Sequence, residues 1–344
     1  MNSKTTAQQL PDPHQKREFA LIFFLIIVLV ITCLGSLAIG SAKIPLFATL
    51  SKLLKHHFSQ SVLVLWEIRF PRTILGMMVG ATLGLAGAAM QGLLRNPLAS
   101  PGILGISGGA SFGAVMVLYT GLSQVFPLAL PLGGMTGALL AIVLIYLFAG
   151  IDSNIQTLIL AGVAVNSFSV AAMSLALNLS PDPHAAIEII FWQMGSLANR
   201  SFDHVWMAAP IMLIGWILIF WDARALRALT LGEETATSLG FHMKMVKMRL
   251  ILGTMLSVGA AVSVTGSIGF IGLVVPHIVR PFVGNDPSKL LGVSALAGAI
   301  LLLWADLAVR LLSTGVELKI GVLTSMVGAP FFLMLIYKMK KETI

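Results

Sequence analysis

Two oppositely charged residues lie inside an apolar stretch near the C-terminus and are the first candidates for chemistry. Asp306 precedes Arg310 by four residues, so the two side chains would lie on one face of a helix. A charge at the centre of a membrane costs about 2.5 to 3.5 kcal/mol, and an opposite charge or a wet cavity reduces that cost. Two interpretations stay open: a structural ion pair, which the spacing favours, and a carboxylate that relays protons.

Other residues that often do chemistry form no recognisable set. His277 follows Pro276, where a lone histidine is more often a hydrogen-bonded structural group than a metal ligand. His56 and His57 have no second cluster at ligand spacing, and Cys33 is the only cysteine. The sequence has no G-x-G-x-x-G and no Gly-Lys dipeptide of a P-loop. We therefore predict that the chain is not an enzyme, that it holds no metal or cofactor, and that another subunit must hydrolyse any ATP.

The elements that position these residues are predicted to be membrane helices. Of 344 residues, 57% are hydrophobic and 10% are charged, with a mean hydropathy of +0.93, whereas a soluble domain carries about 25% charged residues. The eighth apolar stretch is short and contains Pro276, which predicts a partial or re-entrant helix. We predict an all-α polytopic membrane protein with about ten transmembrane helices, at 19–40, 73–94, 103–119, 127–149, 155–178, 204–221, 250–267, 270–283, 290–312 and 319–337.

The basic charge is explained better by membrane topology than by nucleic acid. Lys and Arg number 22 against 14 Asp and Glu, but no basic stripe is interleaved with aromatic residues. With ten crossings, most of the 22 fall on one side together with both termini, which is then the cytoplasmic side. Arg69 and Arg72 are an exception on the outer side. The predicted units are a cytoplasmic tail (1–18), one transmembrane domain (19–337) with a cytoplasmic segment (222–249), and a second tail (338–344).

Small residues recur every four positions in the second and third stretches. Such stripes let the backbones of membrane helices approach closely, so we predict helix packing at Gly76, Gly80, Gly84, Gly105, Gly109 and Gly113. Between the seventh and eighth stretches, Gly266, Gly269 and Gly272 lie three apart. This tighter spacing predicts a distorted or broken helix beside a cavity.

The segment 222–249 is polar and contains a short amphipathic pattern. The pattern begins with Gly232, Glu233 and Glu234 and ends at Gly240, as a helix closed by a C-terminal glycine would. A solvated loop and a helix that docks onto a cytosolic partner are both compatible with this composition.

Six strings taken in order resemble the FecCD-type permease family, the membrane subunits of ABC importers for iron–siderophore complexes, haem and cobalamin. The resemblance covers nearly the whole chain from about residue 20, and its strength lies in the ordered combination. The strings are IRFPR (68–72), GLLRNPLASPGILGISGGASFGA (92–114), FWQMGSL (191–197), LTLGEETATSLG (229–240), GSIGFIGLVVPHIVR (266–280) and ELKIGVLTSMVGAPFF (317–332).

The resemblance implies a type II ABC importer permease fold and a set of partners. Similar permeases form a homodimer or pseudo-dimer, have the translocation path along the subunit interface, and carry one cytosolic ATPase under each subunit. ATP and Mg²⁺ would be bound by that ATPase, with no cofactor in this chain. A periplasmic or lipid-anchored binding protein would deliver the cargo, with membrane lipid around the subunit and no nucleic acid bound. The expected location is a bacterial inner membrane, with both termini in the cytoplasm.

The resemblance also implies three sets of functional residues. Docking of the binding protein would involve Arg69, Arg72 and Arg310, the last shared with or released from Asp306. Coupling to the ATPase would involve Gly232, Glu233, Glu234, Ala236, Leu239 and Gly240. The cytoplasmic gate would involve Leu98, Ala99, Asn154, Ile155 and Gln156.

Most members of the family carry ferric siderophores, so a ferric siderophore is the first expected cargo. Haem and cobalamin are the alternatives within the same class; the loop AGIDSNIQTLILAGV (149–163) lacks the Ser/Thr-rich form of some cobalamin permeases, which disfavours cobalamin. A proton-coupled secondary carrier that uses Asp306 is the alternative of another class. A membrane-bound enzyme has little support, because no catalytic residues converge.

Overall fold

The computed structural model describes residues 13–40, 42, 44–55, 59–126, 128–150, 155–180, 183–313 and 318–342. Within these ranges the chain forms helices and turns, without a strand. Seven helices are long and apolar enough to cross a membrane, and three shorter apolar helices accompany them. The prediction of an all-α protein with about ten membrane helices is therefore confirmed.

The ten apolar helices follow the predicted stretches closely. They are α1 (Pro13–Ala38), α2 (Phe70–Leu94), α3 (Ile106–Tyr119), α4 (Ala129–Ala149), α5 (Ile155–Asn178), α6 (Phe202–Trp221), α7 (Met243–Thr265), α8 (Ile271–Val279), α9 (Pro287–Leu312) and α10 (Ile320–Glu342). Shorter helical pieces connect them: Leu46–Leu54, Gln60–Leu63, Val64–Arg69, Pro101–Leu104, Leu122–Val125, Pro183–Gln193, Ala223–Leu229, Glu233–Ser238 and Arg280–Val283.

The helices differ from the predicted stretches by a few residues at several ends, and two of these differences have a clear physical reason. The seventh span was expected to begin at residue 250, but α7 begins at Met243 because the charged residues before it extend the helix beyond the apolar core and find partners there. The third span was expected from residue 103. A separate turn of 3₁₀-helix occupies Pro101–Leu104 instead and ends at Gly105, whose φ of 73° interrupts the helix.

Contacts between helix ends show the path of the chain across the molecule. Lys289 at the start of α9 pairs with Glu18 near the start of α1, and Arg310 near the end of α9 bonds to Ser36 near the end of α1. The two helices are therefore parallel. The end that holds Glu18 and Lys289 also holds the segment 222–240, since Arg227 pairs with Asp286. We call it the coupling end and the opposite one the outer end.

The eighth segment passes from the outer end to the coupling end with only a short helix. Residues 266–270 are not helical, and α8 is about 13 Å long, which is less than half of a bilayer core. Phe270 has a φ of 66°, and a Cβ at Gly328 of α10 would lie 2.4 Å from the Phe270 Cβ. Irregular backbone at this depth requires surrounding protein. The glycine spacing correctly predicted this break.

Helix α2 is at the centre of the core and packs most extensively on α9. A Cβ at Gly84 would lie 2.1 Å from the Ser294 carbonyl oxygen, and one at Gly80 would lie 2.4 Å from the Gly298 carbonyl oxygen. The two backbones therefore touch without intervening side chains. By contrast, α1, α4, α5 and α6 expose broad apolar faces, as helices that contact lipid do.

Candidate functional site

Three arginines and one aspartate meet at the outer end. Arg72 of α2 donates from Nε and Nη2 to Asp306 of α9, with an Nη2–Oδ1 distance of 2.7 Å. Arg310 donates from Nη2 to the second carboxylate oxygen of Asp306. Asp306 has 0% exposure. Both carboxylate oxygens are thus engaged by guanidinium groups, which fits a structural ion pair and leaves the carboxylate no exposed surface for proton exchange.

The same arginines close the outer end of α1. Arg69 donates from Nη1 to the carbonyl oxygens of Leu37 and Ala38 at 2.7 and 2.8 Å, and from Nη2 to that of Ala42. Arg310 donates from Nη1 to the carbonyl oxygen of Ser36 at 2.8 Å and to that of Ile39 at 3.1 Å. The last carbonyls of a helix have no partner within it and carry partial negative charge. The arginines neutralise this end of α1.

The burial of the three arginines limits how a binding protein could contact them. Arg69 is only 4% exposed, and the side chains of Arg72 and Arg310 are 15% and 8% exposed. Three cations against the one carboxylate of Asp306 give the cluster a formal charge of +2. An acidic partner would therefore be attracted to it, but would have to displace bonds to α1 or to Asp306 in order to contact all three arginines.

At the coupling end, the chain between α6 and α7 folds into two short helices. Ala223–Leu229 is buried on one face, and Glu233–Ser238 follows after Gly232, whose φ of 107° reverses the chain. Gly240, with a φ of 91°, closes the second helix. The helix predicted between the two glycines is therefore present.

Three ion pairs fasten this segment to the membrane helices. Asp222, which is buried, forms a bidentate pair with Arg249 of α7, with both N–O distances at 2.7 Å. Lys247 of α7 pairs with Glu233. Arg227 pairs with Asp286, the N-cap of α9. The segment is therefore a fixed part of the coupling end.

The environment of Asp286 shifts its titration. Burial acts to raise the pKa of the Asp286 carboxyl, but hydrogen bonds from the Arg227 guanidinium and from the Ser288 hydroxyl and backbone N–H outweigh it. The pKa lies below its usual value as a result. Asp286 is therefore ionised at neutral pH and attracts the exposed Arg227 side chain.

The predicted coupling residues differ in what they offer to a partner. Leu239 is 60% exposed, and its neighbour Leu231 is 67% exposed although it lies outside the apolar helices. Glu234 is also exposed. Ala236, in contrast, has 0% exposure and packs inside the chain, and half of the Glu233 side chain is covered in its pair with Lys247. A partner at the coupling end would meet the side chains of Leu231 and Leu239 and the carboxylate of Glu234.

The predicted gate residues lie at the start of two elements. Leu98 and Ala99 form the turn after α2, where the Leu98 backbone N–H donates to the Asn96 Oδ1 at 2.9 Å and Ala99 is buried. Ile155 and Gln156 begin α5, and Gln156 is exposed. Asn154 lies outside the described residues.

The glycines predicted to pack helices lie at close contacts between backbones or against side chains. A Cβ at Gly109 would lie 2.4 Å from Ala141 Cβ of α4, and one at Gly113 would lie 2.0 Å from the Gly133 carbonyl oxygen. One at Gly105 would lie 2.1 Å from the Gly162 carbonyl oxygen of α5. At Gly76 the neighbour is the Leu303 side chain, at 2.8 Å. The glycines therefore join α2 to α9 and α3 to both α4 and α5.

Sequence reasoning missed a group of polar residues on one face of α5. Gln156, Ser167, Ser174 and Asn178 are all exposed, and at 100° per residue they fall within about 40° of one another around the helix, on a face that also carries the exposed Leu160 and Val163. Exposed polar side chains on a membrane helix usually face a partner or water rather than lipid. The exposed faces of α1 and α4 carry large apolar side chains instead. The spacing of these residues could have been read from the sequence, but their exposure could not.

The described side chains do not form a metal site. Within them, no group of three or more His, Cys, Asp and Glu residues is positioned to hold a metal ion. His277 of α8 lies edge-to-face against Phe331 of α10, with ring centroids 6.1 Å apart. The predicted role of this histidine as a structural group agrees with that packing.

Comparison with known proteins gives the family. The model of the FecCD transport family matches residues 27–338. The hemin transport system permease protein HmuU of Yersinia pestis is 39% identical over 330 residues, covering 93% of this chain and 96% of HmuU. The iron-uptake system permease protein FeuC of Bacillus subtilis is 34% identical over 333 residues, covering 94% and 98%.

A solved structure agrees with these matches. A metal-chelate type ABC transporter in an inward-facing conformation superposes with a TM-score of 0.81 at 30% identity, covering 93% of this chain and 99% of that one. The ten apolar helices, the segment at the coupling end and the matched length all fit this assignment. The chain belongs to the FecCD transport family and is a permease subunit of an ABC importer.

Proposed function

We propose that this permease moves a ferric siderophore from the periplasm or cell exterior into the cytoplasm, receiving it from a binding protein. The observation that carries the proposal is the family match over residues 27–338. FeuC, named for iron uptake, supports iron as the transported metal. HmuU, named for hemin transport, makes haem the second candidate. Identities of 34% and 39% are too close together to rank the two cargoes.

Uptake by cells distinguishes these cargoes. We would delete the gene for this chain in its host and measure uptake of iron-labelled siderophores, haem and labelled cobalamin, each with and without the gene restored. Loss of siderophore uptake alone is the expected result. Loss of haem or cobalamin uptake with intact siderophore uptake would contradict the cargo while leaving the importer class in place.

The segment 222–240 is proposed to bind the ATPase, which supplies the site for ATP and Mg²⁺. Support comes from Leu231 and Leu239, which are 67% and 60% exposed outside the apolar helices and offer apolar surface to a partner. The ion pair of Asp222 with Arg249 would pass movement of the segment directly to α7.

The coupling proposal is tested best at Glu234, because Glu233 has an internal partner in Lys247. We expect Glu234→Lys and Leu239→Asp to reduce co-purification of the ATPase and uptake together, with the permease still folded. Glu188→Lys is the matched control, since Glu188 is exposed on the helix Pro183–Gln193 at the outer end. Normal ATPase recovery with Glu234→Lys and Leu239→Asp would contradict the assignment.

A second, identical copy is proposed to face α5, with the translocation path between the copies. The polar residues of α5 support this arrangement, because four of them are exposed on one face of the single chain, among apolar side chains that a second copy would also cover. The path would carry its cargo past hydroxyl and amide groups rather than charged ones.

Thiol labelling tests the path. With Cys33→Ala as the background, Ser167→Cys and Ser174→Cys should react with a membrane-impermeant maleimide, and the reaction should change when ATP is added. Leu147→Cys on α4 is the control, since Leu147 is 71% exposed on an apolar face and should be shielded by lipid. Equal labelling at all three positions would contradict the path.

The outer arginine cluster is proposed to receive acidic residues of the binding protein. Its net charge of +2 and its position opposite the coupling segment support this role. We expect Arg72→Gln to weaken binding of the binding protein, and the loss to shrink at high salt as the attraction is screened. Lys52→Gln on the helix Leu46–Leu54 is the control, because Lys52 is exposed and lies outside the cluster. Equal effects of the two substitutions would contradict a specific docking site.

A further inference from the structure

A cleft of about 770 Å³ opens at the coupling end between α1 and the turn that leads into α9. Its wall on α1 is formed by Arg17, Leu21 and Phe24, and its opposite wall by Phe282 and Lys289. The uncharged runs of α1 and α9 begin after Glu18 and Lys289. The charged residues of the cleft therefore precede these runs, whereas Leu21 and Phe24 lie within the first of them.

The wall of the cleft on α1 changes from charged to apolar along the helix, as a phospholipid does from its headgroup to its acyl chains. Arg17, Leu21 and Phe24 follow one another at intervals of four and three residues, so they share one face of the helix. From Arg17 to Phe24 the helix rises about 10 Å into the apolar layer. A cation thus marks the headgroup level, and the half-buried Leu21 and the exposed Phe24 follow below it, with Phe282 opposite at 64% exposure.

The charges inside the cleft favour a phosphate. The carboxylates of Glu18 and Asp286 are already occupied, the first by Lys289 and the second by Arg227. Arg17 is exposed, and none of the side chains that the structure describes forms an ion pair with it. Lys289 has three N–H donors, of which the pair with Glu18 uses one. Arg17 and Lys289 therefore have donors left for an anion between them.

We propose that this cleft binds one phospholipid of the leaflet at the coupling end, with its phosphate at Arg17 and Lys289 and an acyl chain along Leu21, Phe24 and Phe282. The two basic and two acidic side chains that line the cleft sum to zero charge, so the attraction for a lipid phosphate comes from the unused donors of Arg17 and Lys289. The lipid would fill the gap between α1 and the turn before α9, and so would hold α1 to the start of α9, whose N-cap Asp286 pairs with Arg227 of the segment 222–240.

Native mass spectrometry of the full-length chain tests the site. The protein would be reconstituted in vesicles of phosphatidylglycerol and phosphatidylethanolamine, extracted gently, and analysed for lipids retained per subunit. Arg17→Glu removes the cation and adds a repulsive charge, so we expect retention to fall about tenfold or more, whereas Arg17→Lys should keep it. Ala20→Trp should also empty the cleft, since Ala20 lines it and its charge is unchanged.

The control is Arg224→Glu, which makes the same charge change at the same end outside the cleft. It should retain the lipid as the unsubstituted chain does. Equal retention by Arg17→Glu and Arg224→Glu, or an equal loss from both, would overturn the site. Displacement of the lipid by excess inorganic phosphate would show a free-anion site and would also overturn it, as would wild-type retention with Ala20→Trp.

Discussion

Replacement of Asp306 by asparagine is the sharpest test of the outer cluster. The substitution keeps the size of the side chain but removes the carboxylate that pairs with Arg72 and Arg310, beside Arg69. Asp306 is completely buried, so water cannot replace the lost charge. Two guanidinium groups, from Arg72 and Arg310, would then face one neutral amide, which has a single acceptor oxygen.

The expected cost follows from burial. Removing one partner of a buried ion pair costs about 3 to 5 kcal/mol, because the other partner remains charged and buried. With an unfolding entropy of about 2.1 cal/mol/K per residue, 344 residues give a decrease in Tm of about 4 to 7 °C. Asp286→Asn is the matched control on the same helix. Its partner Arg227 is 58% exposed, and asparagine is an equally good N-cap, so the cost should be at most about 1 kcal/mol.

The assay is thermal unfolding of the purified permease in detergent, followed by size-exclusion fluorescence, with uptake measured at a temperature where each variant is folded. We expect Asp306→Asn to unfold several degrees earlier than Asp286→Asn and to retain uptake that requires ATP. A variant with the wild-type Tm but without uptake would refute the structural role. It would favour instead a proton-coupled carrier that depends on the Asp306 carboxylate.

Three further substitutions test the packing and the charges. Gly84→Val should destabilise the permease by about 3 kcal/mol, because its Cβ meets a backbone oxygen at 2.1 Å, whereas Gly292→Ala on α9 has open space and should be neutral in the same melting assay. Trp216→Phe loses the 2.8 Å bond from Nε1 to Thr82 Oγ1 and should cost about 0.6 kcal/mol in denaturant titration. The folded state lowers the pKa of Asp286 below its usual value of 3.8, so ionised Asp286 stabilises the fold at pH values above 3.8. This stabilisation is lost as the pH falls through the lower folded pKa. Asp286→Asn should remove this dependence when melting is measured at decreasing pH.

The sequence predicted the helices well because their signal is local. Apolar runs of about 20 residues can satisfy their backbones in a bilayer only as helices, so composition alone located most of them. The start of α7 was missed because Lys247 and Arg249 look like loop residues until Glu233 and Asp222 are placed beside them. A helix that extends beyond the membrane has no apolar signature.

The outer cluster was predicted only in part for a related reason. Asp306 and Arg310 are four residues apart in the sequence, but Arg72, which binds the same carboxylate, is 234 residues away. Arg69 donates to backbone carbonyls at the end of α1, and because every residue has such a carbonyl, these acceptors cannot be recognised from the sequence. The charged pair could be predicted from the sequence, but the bonds of Arg69 and Arg72 could be seen only in the folded chain.

Helix α9 connects the two ends at which partners are expected. Asp286 at its start is paired with Arg227 of the segment 222–240, and Asp306 is paired with Arg72 and Arg310 about 30 Å further along the helix. Its central contact is with the backbone of α2 at Gly84, so no flexible side chain lies between the two helices to absorb a shift. A displacement imposed at either end would therefore be transmitted through α9 and α2 together. In this way one pair of helices can link an ATPase at the coupling end to the arginines at the outer end.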